Sequence, residues 1–152
     1  MIKDKNNIPK LLESLPQEKE QILRVAGAFL EGKIKEKITE GDPDWPPLRP
    51  ETIKRKGSSK PLIDTGKLRA SITHKVEGDA ALVGIFAEDV CVYAAVHEFG
   101  SPKKNIPQRS YLRKTFDEQK DEIEKLIDTE IEKVLKRFTF HAWVKNSFGI
   151  VW

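Results

Sequence analysis

The stretch Tyr93-Ala94-Ala95-Val96-His97-Glu98-Phe99-Gly100, followed after a polar connection by Ile106-Pro107-Gln108-Arg109-Ser110-Tyr111-Leu112-Arg113, decides the fold. It begins inside the apolar run Val90 to His97, which predicts the third strand of a small sheet. Gly100 permits a sharp exit from that strand, and Pro107 fixes the approach to a helix. Tyr93 and Phe99 can bury their rings, and Arg109 can reach a carboxylate or backbone carbonyls on its own or a neighbouring chain. Beyond it, Leu112, Phe116, Ile123, Ile127, Ile131, Val134 and Phe138 recur at helical steps. Asp117, Glu118, Asp121 and Glu122 lie early in this helix and Lys133, Lys136 and Arg137 late, as the helix dipole favours. Asp121 with Lys125 and Glu132 with Lys136 are spaced for pairing one turn apart.

Upstream, Gln17 to Lys37 carries Ile22, Val25, Ala26, Phe29, Leu30 and Ile34 at helical spacing, and Gly41-Asp42-Pro43 ends that first helix. A long loop from Gly41 to Thr65 follows, holding Pro43, Pro46, Pro47, Pro50 and Pro61, with Trp45 and Leu48 as its anchors. Its stretch from residue 49 to 60 sets Arg49, Lys54, Arg55, Lys56 and Lys60 against Glu51 alone, a local net charge of +4, and is expected to be its mobile part. After the turn Asp64-Thr65-Gly66, a short helical turn leads into a strand near residues 71 to 77. Glu77-Gly78-Asp79 then joins that strand to Ala80–Ala87 as an antiparallel hairpin. The expected class is α+β: a small antiparallel sheet packed by an N-terminal helix and a long C-terminal helix, with a proline-rich basic loop.

Composition narrows the function classes. Charged residues at 34% against 38% apolar predict long solvated helical faces or exposed arms rather than wholesale disorder. A net charge of +3, from 27 basic and 24 acidic residues, gives no overall field for a polyanion, so nucleic-acid binding would rest on the loop 49–60 alone. The single Cys91 rules out an intrachain disulfide and reads as a buried structural thiol. Met1 to Asn7 lacks the apolar core of a signal peptide, and no apolar run approaches the roughly 20 residues that span a bilayer. His97-Glu98 invites a metal reading, but the zincin pattern needs a second histidine where Ser101 stands. Asp64-Thr65-Gly66-Lys67 lacks the glycine spacing of a phosphate loop and has Leu68 where Ser or Thr belongs. A toxin or metal-dependent nuclease built on Asp64, His97 and Glu98 has no ligand spacing to support it.

Four segments in order resemble the virion morphogenesis and tail-completion proteins of tailed bacteriophages, of the Mu-like type. They are Trp45-Pro46-Pro47-Leu48 with Thr52 and Lys56; Pro61-Leu62-Ile63-Asp64-Thr65-Gly66-Lys67-Leu68-Arg69-Ala70-Ser71; Tyr93 to Gly100; and Ile106 to Leu112. In the last, Gln108 and Ser110 replace a small residue and a second proline of the family pattern, and Ser110 is suited to cap the helix that follows. The resemblance implies a structural protein without catalysis, cofactor or metal, one that completes or joins the tail at the neck as a homo-oligomeric ring. It would contact tail-tube and head-tail connector proteins, in the bacterial host cytoplasm during assembly and in the virion neck or tail afterwards. Its expected assembly surface comprises Trp45, Leu48, Thr65, Gly66, Leu68, Ser71, Tyr93, His97, Phe99, Gly100, Pro107, Arg109, Tyr111 and Leu112. The chain then reads as one domain, residues 1–137, with an aromatic tail, 138–152, that needs a surface to bury it. The competing class is a nucleic-acid-associated module using the basic loop.

Overall fold

A computed structural model describes the backbone of residues 8–148 and the side chains of residues 9–138. The readings of Met1–Asn7 and of the tail side chains beyond Phe138 lie outside the described residues. The order of elements is α1 (Ile8–Glu40), α2 (Pro50–Lys56), α3 (Lys67–Ser71), β1 (Ile72–Glu77), β2 (Ala80–Ile85), α4 (Glu88–Phe99), a 3₁₀ turn (Pro102–Lys104) and α5 (Arg113–Phe148). The α+β class is as expected: α1 lies against both the two-stranded sheet and α5.

Helix α1 starts earlier than its periodic core and runs through Pro16. It stops at Gly41, whose positive φ of 90° turns the chain while its amide closes on the Lys37 carbonyl at 2.9 Å. The hairpin forms where alternation and Gly78 predict it, pairing Ile72 with Ile85 through to Glu77 with Ala80. Its inward residues join Ile34 and Ile38 of α1, Trp45, Leu62, Leu68, Val90, Ala94 and Tyr111 in one core.

Two expectations are corrected. Val90 to His97 is not a third strand but most of α4. Val90, Ala94 and Glu98 are its buried positions, each four residues after the last, so one helical stripe faces the core. Short apolar runs suit either state, and here Glu88 and Asp89 in the first turn favour the helix through its dipole. Likewise the basic stretch 49–60 is not loop throughout. Its first part folds as α2, opened by Pro50 and closed by Gly57 at φ 69°, with the Gly57 amide bonded to the Ile53 carbonyl at 2.8 Å.

Candidate functional site

The segment between α4 and α5 is held by two charged side chains that are themselves buried. Glu98, 4% exposed, points from the last turn of α4 at the start of α5. Its carboxylate accepts from the Ser110 hydroxyl at 2.6 Å and from the amides of Tyr111, Leu112 and Arg113 at 2.8, 2.8 and 3.1 Å. A helix start leaves such amides without intrahelical partners, and a negative charge there also meets the favourable end of the dipole. Glu98 therefore caps α5 from a different helix. Ser110, expected to cap α5 itself, instead donates to the carboxylate that does so.

Arg109, also 4% exposed, donates from Nε and Nη2 to the Pro46 carbonyl at 3.2 and 2.7 Å, while Trp45 Nε1 donates back to the Ser110 carbonyl at 3.3 Å. These crossed bonds dock the proline-rich segment onto the approach to α5. The Arg109 amide meets the His97 carbonyl at 2.8 Å, and Gly100 at φ 77° makes the close return possible. A Cβ at Gly100 would lie 2.9 Å from the Gln108 amide nitrogen, so only glycine fits.

A second junction ties α1 to α5. The Asp42 carboxylate, 2% exposed, receives Lys37 at 2.9 Å, Lys114 at 2.7 Å and the Asp44 amide at 2.9 Å. Burial alone would raise its pKa, but the hydrogen bonds from Lys114 and Lys37 outweigh this and bring it down to about 2. Sequence reading missed Glu98, Asp42, Lys37 and Lys114 in these roles, because their partners lie in other elements.

Two adjoining clefts open beside these anchors, of about 330 and 740 Å³, sharing Leu48, Thr52, Arg55, His97 and Arg109 as walls. Of the expected surface residues, Thr65, Gly66, Leu68 and Tyr93 line the first, and Phe99, Gly100 and Pro107 the second. Trp45, Tyr111 and Leu112 serve the core instead, and the Ser71 hydroxyl bonds the Lys67 carbonyl at 2.7 Å within α3. Phe99 does not bury its ring; it is 67% exposed. Of the basic residues, Arg49, Arg55 and Lys56 reach the cleft walls. Lys54 is exposed, and Lys60 donates to the Thr39 carbonyl at 2.7 Å.

Asp64 and His97 share a cleft wall, but Glu98 faces α5, and no three His, Cys, Asp or Glu among the described residues gather as a metal site. His97 Nδ1 is buried without a hydrogen-bond partner, and burial, Arg109 and Lys56 hold its pKa below the usual histidine value. Cys91 donates its thiol to the Ile85 carbonyl at 3.2 Å. No described helix is long and apolar enough to cross a membrane.

The buried charges of this α+β unit join its own segments, and its clefts are lined by basic and apolar side chains. The chain is a member of the Phage virion morphogenesis family, whose pattern matches residues 4–132. It is similar to the Mu-like prophage FluMu G protein 2 of Haemophilus influenzae, 30% identical over 136 residues, spanning 84% of this chain and 91% of that protein. It is also similar to an uncharacterized protein of Methanocaldococcus jannaschii, 35% identical over 97 residues, 61% of this chain and 69% of that one. No solved structure matches it. The family is a structural assembly family rather than an enzyme family.

Proposed function

We propose that this protein completes or joins the tail at the neck of a phage or prophage particle, as a ring of identical subunits with no substrate and no turnover. The observation that carries the reading is the division of labour within the motif segments. Glu98 and Arg109, the side chains best suited to chemistry, are engaged in capping α5 and holding Pro46. What the same region turns outward is Val92, 74% exposed, and Phe99, 67% exposed, the latter in a cleft wall shared with the exposed Arg49 and Arg55. Apolar and cationic surface of that kind serves protein contact. The proposed partners are further copies of the chain, tail-tube proteins and head-tail connector proteins, met in the host cytoplasm and retained in the particle. Deleting the gene from a functional phage should leave filled heads and separate tails, restored to joined particles by the wild-type gene. Normally joined, infective particles from the deletion would overturn the proposal.

A second reading draws on Arg49, Lys54 and Arg55, which make no ion pair within the described chain and would suit a nucleic-acid backbone. Such binding weakens steeply with salt. A duplex titration without binding at low salt removes it.

A further inference from the structure

The acids of α5 sort into two sets. Glu118, Glu122, Glu130 and Glu132 pair with Lys37, Lys125, Lys133 and Lys136 respectively. Asp117, Asp121, Glu124 and Asp128 recur at steps of four, three and four, which places them on one face. All four are exposed, and none makes an ion pair with the described chain. From Asp117 to Asp128 the helix carries six acids against Lys120 and Lys125, a net charge of −4. Ile131, 42% exposed, continues the face one turn on.

The counterpart lies on α2. Lys56 and Lys60 turn their ammonium groups to backbone carbonyls, whereas Arg49, Lys54 and Arg55 are exposed and have no acidic partner in the described chain. The stretch 49–60 has a net charge of +4, matching the acidic face in size and opposite in sign. The acidic face is about 16 Å long at roughly 1.5 Å per residue, and the seven-residue α2 about 10 Å. One α5 face is thus long enough to cover α2, and Arg49 and Arg55 line the same cleft as Phe99 and Pro107.

We propose that the face Asp117, Asp121, Glu124 and Asp128 of one copy docks on Arg49, Lys54 and Arg55 of a second copy, with its apolar continuation against the cleft. This rests on the ring reading above and names the surfaces that would build the ring. Two different patches in contact make a head-to-tail interface, which closes into a ring when its rotation permits. Helix α2 itself carries no aromatic side chain on which a base can stack, and the neighbouring apolar wall at Phe99 and Pro107 suits the Ile131 end of the α5 face better than a phosphate backbone.

The test uses the full chain and two double variants, Lys54→Glu/Arg55→Glu and Asp121→Lys/Glu124→Lys, all at exposed helical positions. Masses are measured by sedimentation at low and high salt, after circular dichroism has matched their helicity to wild type. If either reversal fails to fold, the neutral pairs Lys54→Gln/Arg55→Gln and Asp121→Asn/Glu124→Gln replace it. Wild type should assemble at low salt and dissociate at high salt. Each reversal alone should weaken assembly by about 100-fold or more. An equimolar mixture of the two reversals should recover it, because each then offers the charge that the other lacks. Wild-type assembly unchanged in either variant overturns this interface and leaves the ring standing on other surfaces. A monomeric wild type at low salt overturns both. Loss of duplex DNA binding in the α2 variant with unchanged mass assigns α2 to nucleic acid and overturns the interface.

Discussion

Glu98→Ala removes a single acceptor that serves the Ser110 hydroxyl and the amides of Tyr111, Leu112 and Arg113. Tyr111 is fully buried and Leu112 partly so, which leaves Arg113 as the amide best placed to find water instead. A buried donor left unsatisfied costs about 1–3 kcal/mol, and a hydrogen bond to a charged group contributes about 1.5–3 kcal/mol. Two stranded amides and the lost interaction with the helix dipole set the destabilisation at about 3–5 kcal/mol. Glu98→Gln keeps one acceptor oxygen but turns an amide NH₂ toward other donors, for about 2–3 kcal/mol. Domains of ordinary stability hold about 5–15 kcal/mol in total, so the alanine variant should stand close to unfolding. Urea denaturation followed by circular dichroism measures both. Glu88→Gln, at an exposed carboxylate of the same helix, loses only its interaction with the helix dipole and should cost no more than about 1 kcal/mol. Losses below about 1 kcal/mol in both Glu98 variants would refute the capping role and reopen a chemical one.

Arg109→Lys should destabilise by about 1–2 kcal/mol, since an ammonium cannot reproduce the forked donation to Pro46, and hydrogen exchange should quicken across residues 42–50. Gly100→Ala should cost about 2 kcal/mol or more, read as a lowered thermal midpoint, because φ of 77° and the Gln108 amide both oppose a Cβ. Asp42 titrates near 2 when folded against 3.8 unperturbed, so its stabilisation is present above the higher value and lost as pH falls toward the lower. That shift is worth about 2 kcal/mol. A series of urea midpoints between neutral and acid pH should show this loss in wild type and lack that component in Asp42→Asn.

What the sequence made legible was periodic or local. Helix α5 follows from its apolar steps and its segregated charges, and the hairpin from alternation around Gly78. The extent of α5 to Phe148 and the depth of α1 past Pro16 go beyond that periodicity. The misreading of α4 has a physical source, because a short apolar run is compatible with a strand, and tertiary packing of Val90, Ala94 and Glu98 decided otherwise. Helix α2 was signalled by Pro50 at its start and Gly57 past its end, but surrounding prolines made the segment read as loop. Arg109 was expected to reach a carboxylate or backbone carbonyls, and the carbonyl it holds, that of Pro46, lies 63 residues away. Glu98 looked like a metal or catalytic candidate because its true partners lie 12 to 15 residues downstream, on another element. Long-range satisfaction of this kind leaves no spacing rule in the chain.

Sedimentation of the intact wild-type chain at low salt tests the central claim most directly. A ring-forming assembly protein should sediment as one closed multiple of the 17.4 kDa chain and lose that mass as salt rises. A species of 17.4 kDa at every concentration and salt would contradict it.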